Sequence, residues 1–244
     1  MDKEDLKRIR QAIADANSVV FLGGAGVSTL SGIPDFRSST AIYDSLAKRG
    51  LDYETILSHS FFLAHPDEFY DFYWSTMVNE NAKPNLAHIA LADFEKRTHK
   101  LTIVTQNIDG LHQKAGSTKV LEAHGTIHHY HCMKCHRHYG LDELEHHGIP
   151  YCQDCGGLIK PDVVLYEEPL DEDTLMRSVS AVERANVLII GGTSMRVYPI
   201  AGLPRYFNIG KQIIINAEAT PYDRYCDFII HEDIGDTLSA ILGE

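Results

Sequence analysis

Ser18-Val-Val-Phe-Leu-Gly-Gly-Ala-Gly-Val-Ser28 is the stretch that decides the fold. Its first five residues are a short apolar run of the kind buried on both faces of a sheet, and Gly23-Gly-Ala-Gly26 turns the chain directly after it. Upstream, Leu6, Ile9, Ile13 and Ala16 recur at helical spacing, so the opening reads helix, strand, glycine turn. Downstream, strand-like runs stand at Leu101 to Gln106, Val187 to Ile190, Ile213 to Asn216 and Phe228 to Ile230. Amphipathic stretches at Pro84 to Lys96 and Asp171 to Ala185 lie between them. Strands alternating with helices predict an α/β fold with a Rossmann-like parallel sheet covered on both faces. Pro66 and Pro84 suit first-turn helix positions, and Asp171 suits an N-cap.

Two stretches interrupt the alternation. From about Ser38 to Asn81 the chain is rich in aromatics (Tyr43, Phe61, Phe62, Phe69, Tyr70, Phe72, Tyr73, Trp74) and reads as a helical insertion. From about Thr126 to Ile159 it carries four cysteines and seven histidines. The expected division is a large Rossmann-like domain over residues 1–38, 82–125 and 160–244, with a small domain over 39–81 and 126–159.

Of 244 residues, 44% are hydrophobic and 23% charged, ordinary values for a globular chain. With 22 Lys plus Arg against 34 Asp plus Glu, the net charge of -12 has the wrong sign for gripping nucleic acid and favours basic protein segments as partners. Met1 to Arg10 is charged from its second residue and lacks a secretory pattern. Apolar runs fall far short of the ~18 residues that span a bilayer, so no membrane partner is expected. Cysteine usage points to a reducing, cytoplasmic setting rather than a disulfide framework.

Cys132-Met-Lys-Cys135 and Cys152-Gln-Asp-Cys155 are separated by sixteen residues, a spacing that sets four thiolates around one tetrahedral zinc. Four protein ligands leave no open position, so the site reads as structural. The neighbouring His128, His129, His131, His136, His138, His146 and His147 read as solvated surface residues, and Cys226, alone in an apolar segment, as a small buried residue rather than a nucleophile.

Gly24-Ala-Gly-Val-Ser28 follows a strand as a pyrophosphate cradle should, with a helix N-terminus expected after it. Thr29 stands where the dehydrogenase fingerprint has its third glycine, which argues against hydride transfer. Ser31-Gly-Ile-Pro-Asp-Phe-Arg37 adds an arginine suited to phosphate and a phenylalanine suited to covering a ring. Gln106-Asn-Ile-Asp109 ends a strand on the side where open α/β sheets bind ligands. Leu121-Glu-Ala-His-Gly125 brings a histidine, whose near-neutral pKa suits a general base, to the same side.

Together these motifs resemble the sirtuin family, the NAD-dependent protein lysine deacylases. The resemblance runs through Gly24-Ala-Gly-Val-Ser28, Ser31 to Arg37, Thr105-Gln-Asn-Ile-Asp-Gly-Leu-His112, His124-Gly125, the cysteine pairs, Gly192-Thr-Ser194 and Asn216-Ala-Glu218, in family order across nearly the whole chain. It implies a Rossmann-like large domain, a small domain of helical insertion and zinc ribbon, and NAD with an acetylated lysine protein or peptide in the cleft between them. By the resemblance Ala25, Thr29 and Arg37 line the phosphates and adjoining ribose, with Thr193 and Ser194 approaching from the later turn. Asn216 holds the adenosine ribose, and Cys226 with Asp227 lie near the adenine. Ile108 and Asp109 form the nicotinamide pocket, Phe36 shields the anomeric carbon, and Gln106 and Asn107 orient the ribose and a water. His124 is the general base. Val163, Val164, Leu165, Tyr166 and Glu168 on one side, and Arg196, Val197 and Tyr198 on the other, sandwich the peptide as an added strand.

The sequence departs from the family at Glu167, where a glycine usually precedes the glutamate. A Glu167-Glu168 pair could also favour basic peptide positions. Sirtuins that prefer acidic acyl groups carry a Tyr-x-x-Arg pair in the helical insertion, and between Ser38 and Asn81 no tyrosine is followed three residues later by arginine. Uncharged acyl groups are therefore expected, unless Lys48 or Arg49 folds into the acyl tunnel and supplies the missing cation. Two other readings use the same residues: an ADP-ribosyltransferase or NAD hydrolase acting in the same cleft, and a non-catalytic zinc-ribbon module that senses NAD.

Overall fold

The computed structural model describes residues 1–35 and 46–243. Its main sheet has six strands, all parallel: β1 (Val19–Gly23), β2 (Leu101–Thr105), β3 (Val120–Glu122), β7 (Val187–Gly191), β8 (Lys211–Ile215) and β9 (Phe228–Ile230). Their spatial order is β3-β2-β1-β7-β8-β9. Strands β1 and β7 are buried at every residue, which is why their sequences are continuous apolar runs rather than alternating ones.

Successive side chains of β1 point to opposite faces. Val19 and Phe21 meet helices Lys3–Asp15, Leu86–Thr98 and Ile234–Leu242 through Ile9, Ile13, Leu91, Phe94, Leu238 and Ile241. Val20 and Leu22 face the other layer, where helix Glu172–Arg184 packs through Val182 and the turn Ile200–Tyr206 through Ile200 and Leu203. Phe21 is fully buried against the first of these layers, and its burial stabilises the fold by about 2–3 kcal/mol.

Helix starts follow capping chemistry. Asp171 accepts from the Thr174 amide, and Pro66 opens helix Pro66–Phe72. Pro84 stands outside its helix, a correction to its expected first-turn place, because the Asn85 side chain caps Leu86–Thr98 by accepting from the Ala87 amide. After β1 the chain enters two short 3-10 turns, Ala25–Val27 and Thr29–Ser31, instead of the expected helix.

A second, antiparallel sheet holds β4 (Gly125–Cys132) between β5 (His138–Gly140) and β6 (Ile159–Val163). The aromatic stretch is helical where described: Tyr53–Ile56, His59–Ala64 and Pro66–Phe72, followed by a π turn, Tyr73–Met77. Phe62, Phe69, Tyr70, Tyr73 and Trp74 pack with Tyr130 and Ile159 of this sheet into a separate core. Residue 160, expected to open the large domain, falls inside β6, and the chain leaves the second sheet only after Val163. Among the described residues no helix is long and apolar enough to cross a membrane.

Candidate active site

The strand order reverses between β1 and β7, and the loops leaving the carboxyl ends of β1, β2, β7 and β8 meet there. Backbone bonds stitch them: Gly26 N–H to the Gly192 carbonyl at 2.8 Å, Gln106 N–H to Gly23 at 3.0 Å and Gly192 N–H to Ile215 at 3.1 Å. A Cβ on Gly26 would lie 2.9 Å from the Gly192 Cα, and one on Gly192, whose φ is +61°, 2.5 Å from the Val27 nitrogen. Glycine here lets two loops touch. Asn216 reads the same loop with both amide atoms, accepting from Thr193 N–H at 3.0 Å and donating to its carbonyl at 3.1 Å. Gln106 Nε2 donates to Thr193 Oγ1 at 3.1 Å.

Beneath these loops lies a buried polar network. The Ser28 hydroxyl donates to one Asp109 oxygen at 2.6 Å and accepts from Asn107 Nδ2 at 3.0 Å, while the other Asp109 oxygen accepts from Leu111 N–H at 2.9 Å. The carboxylate and the amide are thus fixed in orientation by the Ser28 hydroxyl and the Leu111 N–H. Asn107 spends one N–H of its amide on Ser28, which leaves the second N–H and the amide oxygen to offer a ligand. His88 Nε2 stands 3.4 Å from Ser28 Oγ, and its ring packs 4.8 Å from that of His112. Burial pushes His88 down to about 4 against the opposing pull of Asp109, and pushes His112 down to about 3, with His88 adding to the effect. Both imidazoles are neutral at pH 7.

His124 follows β3 and precedes β4, half-buried at the same edge. Its Nδ1 lies 3.2 Å from the Gln106 carbonyl, and since a carbonyl only accepts, Nδ1 carries the proton and Nε2 keeps a free lone pair. Burial lowers its pKa, with the Gln106 bond opposing, so the proton-accepting form dominates at neutral pH. Gly125 next to it has φ +75°, and a Cβ there would lie 1.9 Å from the Asp162 carbonyl, so only glycine lets β4 start where it holds His124.

At the far end of β4, about 20 Å away at ~3.3 Å per residue, the thiols of Cys132, Cys135, Cys152 and Cys155 lie within 4.8 Å of one another. Cys132 and Cys155 sulfurs are 3.5 Å apart, and Cys135 and Cys152 3.6 Å. Tetrahedral zinc with bonds of about 2.3 Å needs sulfurs about 3.8 Å apart. The cluster fits one zinc with no open position. Lys134 and Cys135 amides lie 3.4 and 3.5 Å from Cys132 Sγ, and the Tyr139 hydroxyl donates to Cys152 Sγ at 3.1 Å, orienting thiolates for the ion.

The Sir2 family profile matches residues 24–199. A Clostridium acetobutylicum NAD-dependent protein deacetylase is 46% identical over 241 residues, 98% of each chain. The chain belongs to the Sir2 family. Among solved structures, a Sir2 with deacetylated p53 peptide and 3'-O-acetyl ADP-ribose aligns at TM-score 0.87 with 34% identity, covering 97% of both chains. A Sir2 with p53 peptide and NAD+ aligns at 0.84 with 34% identity, covering 99% of this chain and 98% of that one.

Within this Sir2-family chain, Ala25, Thr29, Gln106, Asn107, Ile108, Asp109, His124, Thr193, Ser194 and Asn216 all stand on loops at the carboxyl edge of the sheet or in the turn before β4. Phe36 and Arg37 lie outside the described residues. Cys226 and Asp227 require a correction. They precede β9, whose direction puts them at the opposite edge, where Asp227 accepts from Lys211 Nζ at 2.7 Å and from Gln212 N–H at 2.9 Å at the start of β8. The residues β9 delivers to the ligand edge are His231 to Asp233. His231 Nδ1 donates to the Asn216 carbonyl at 3.0 Å, and Asp233 caps helix Ile234–Leu242. A search for the residue after the strand, not before it, would have found them. Ser28 and His88, which no motif reading singles out, join the network around Asp109, although Ser28 ends the quoted glycine motif.

Not all seven small-domain histidines are merely solvated. His131 Nδ1 sits 2.5 Å from the Asp162 carboxylate, His128 Nε2 donates to the Asp109 carbonyl at 3.2 Å, and His146 stacks on Trp74 with centroids 5.4 Å apart. Val163 and Leu165 point into the second core, Val164 N–H donates to the His124 carbonyl at 2.9 Å, and Tyr166 is exposed. On the other flank Arg196 and Tyr198 are exposed, with Arg205 over the Tyr198 ring. The Glu167-Glu168 pair is already occupied by groups of this chain: Glu167 by Ser60, Glu168 by His59 and Lys160. Arg49 pairs with Glu68 on the surface and Lys48 is exposed.

Proposed function

We propose that the chain is an NAD-dependent protein lysine deacetylase, transferring the acetyl group of N6-acetyl-lysine to ADP-ribose with release of nicotinamide. The observation that carries this reading is His124. A half-buried imidazole with Nδ1 locked on the Gln106 carbonyl and Nε2 free stands at the same sheet edge as the fixed Asn107 and Asp109 side chains. The curated deacetylase relative and the Sir2 complexes with NAD+ and acetyl ADP-ribose support it.

When bound, NAD supplies the anomeric carbon from which nicotinamide departs and the ribose that receives the acetyl group. Asp109, held by Ser28 and Leu111 N–H, would take the carboxamide beside Ile108. Asn107 and Gln106 would orient ribose and water, while Ala25, Thr29, Arg37, Thr193 and Ser194 hold phosphates and Asn216 the adenosine ribose. Phe36 would exclude water from the reacting carbon. His124 Nε2 would take the ribose hydroxyl proton, a role worth ~10²–10⁴ in rate. Zinc would fold the small domain, about 20 Å from this chemistry by the length of β4. The peptide would lie between Val163 to Glu168 and Arg196 to Tyr198. We further propose acetylated-lysine proteins as partners, no nucleic acid or membrane partner, and a cytoplasmic setting.

The test is mass spectrometry of NAD with a panel of acyl-lysine peptides. Nicotinamide release that depends on an acylated peptide and yields acetyl ADP-ribose supports deacetylation. Free ADP-ribose formed equally without acylated peptide would assign the cleft to NAD hydrolysis or ADP-ribosyl transfer. No turnover under any condition would leave the non-catalytic reading.

A further inference from the structure

Glu167 adopts φ +75°, the left-handed region that favours glycine, and it stands where the family has glycine. Its side chain has two partners on a facing helix. The Ser60 amide donates to one carboxylate oxygen at 2.9 Å and the Ser60 hydroxyl to the other at 2.9 Å. Ser60 belongs to helix His59–Ala64 of the helical insertion, and Glu167 to the segment that leaves β6. The clasp extends a run of main-chain bonds between the same two segments: Tyr166 N–H to the Leu57 carbonyl at 2.9 Å and His59 N–H to the Tyr166 carbonyl at 3.0 Å. On its other side the segment is tied to the catalytic edge by Val164 N–H on the His124 carbonyl at 2.9 Å. Glu168 completes the fastening from within, accepting from Leu165 N–H at 2.9 Å and lying 2.7 Å from His59 Nδ1 and 3.0 Å from Lys160 Nζ.

We propose that Glu167, through its two bonds to Ser60, is a positioning residue that holds the Val163 to Glu168 segment ready to receive an acylated lysine peptide as an added strand. The proposal rests on the deacetylase reading. A glycine at this position leaves the segment free to choose its own path. A glutamate with a partner on the facing helix fixes it before the peptide arrives, and an added strand gains affinity from an edge that is already ordered. The same contact ties the position of that edge to the helical insertion.

The test uses the full chain with zinc bound and compares E167G, E167Q and S60A. E167G removes the clasp and relieves the left-handed backbone at once, so it retains the fold. Expected for E167G is a KM for acetylated peptide raised at least about fivefold, with kcat and the KM for NAD within about twofold. S60A moves peptide KM in the same direction, the double variant adds nothing beyond E167G, and E167Q keeps part of the effect through neutral hydrogen bonds. Two readouts do not need turnover: anisotropy of a labelled acetyl-lysine peptide, which weakens in step with KM, and amide exchange at Tyr166 and His59, which speeds up. Peptide KM and affinity unchanged in both E167G and S60A would overturn the proposal. So would kcat, NAD KM and thermal midpoint falling together, since that pattern belongs to general loosening of the fold. A wild-type protein that binds the peptide but does not turn it over would sink the deacetylase reading instead, with the affinity series still judging the clasp.

Discussion

Replacing His112 by phenylalanine should change how stability depends on pH, by an amount the buried imidazole pair fixes. His112 is 1% exposed, neither ring nitrogen has a hydrogen-bond partner among the described residues, and its neighbours include the rings of His88 and Phe21. Its pKa is pushed down to about 3, and that of His88 to about 4, from an ordinary 6.5. A histidine lowered in the folded state makes no demand above pH 6.5, where both states are neutral. As pH falls through 6.5 the unfolded chain takes up a proton the folded one refuses, and stability is lost until the folded pKa is reached. Between pH 7.5 and 5.5 each such histidine should cost about 1.4 kcal/mol, and the pair about 2.7 kcal/mol. His112→Phe removes one titrating group and two buried unpaired nitrogens while keeping ring volume. Its stability at pH 7.5 should equal or exceed that of the wild type, and its loss on going to pH 5.5 should be smaller by about 1.4 kcal/mol, or about 3–5 °C in midpoint. Urea unfolding of both proteins at the two pH values measures this, with pH 5.5 as the lower limit so that the thiolates keep zinc. Identical losses in the two proteins would refute a neutral, buried His112.

Three further outcomes follow from the same geometry. His124→Ala should leave NAD affinity within a few-fold and lower deacetylation at least ~100-fold, and because burial lowers the His124 pKa, the wild-type acid limb should lie below the ordinary histidine range; near-wild-type turnover of the variant would remove the role. Purified protein should carry one zinc per chain, and Cys132→Ala or Cys155→Ala should destabilise the small domain rather than alter the chemistry selectively; metal analysis showing no zinc, with full activity after chelation, would contradict this. An acetylated peptide should exceed its succinylated twin in kcat/KM by at least roughly a hundredfold, about 2.7 kcal/mol, because the insertion lacks a Tyr-x-x-Arg pair and Arg49 is engaged by Glu68, so a buried succinyl carboxylate gains no paired cation from these residues; comparable rates on the two would show that a cation reaches the pocket.

The parts legible in the sequence are those fixed by local pattern. Strands β1 and β7 are buried on both faces and so read as unbroken apolar runs, and four cysteines at zinc spacing needed no fold to be recognised. The placement of Asn107, Asp109 and His124 at the carboxyl edge of the sheet is legible because each closely follows an apolar strand run. The misses come from direction and from distance along the chain. Cys226 and Asp227 flank the correct strand at the wrong end, and only the parallel register of β9 on β8 shows which end faces the ligand. Pro84 stands two residues before the first helical position because Asn85 takes the cap. Ser28, His88 and Asp109 come from three separate segments, and no spacing rule announces that a turn, a helix and a strand end will share one hydrogen-bond network. Glu167 stands out in the sequence only as a departure from the family glycine, because its left-handed backbone and its bonds to Ser60 depend on a helix more than a hundred residues away.

The central claim is that one cleft couples NAD cleavage to removal of a lysine acyl group. It is tested most directly by quantifying nicotinamide, deacetylated peptide and acetyl ADP-ribose in one reaction of the purified zinc protein with NAD and an acetyl-lysine peptide, beside a control with the unacetylated peptide. The account predicts the three products in equal amounts and almost no nicotinamide in the control. Nicotinamide released equally in both reactions, with the acetyl group still on lysine, would contradict it.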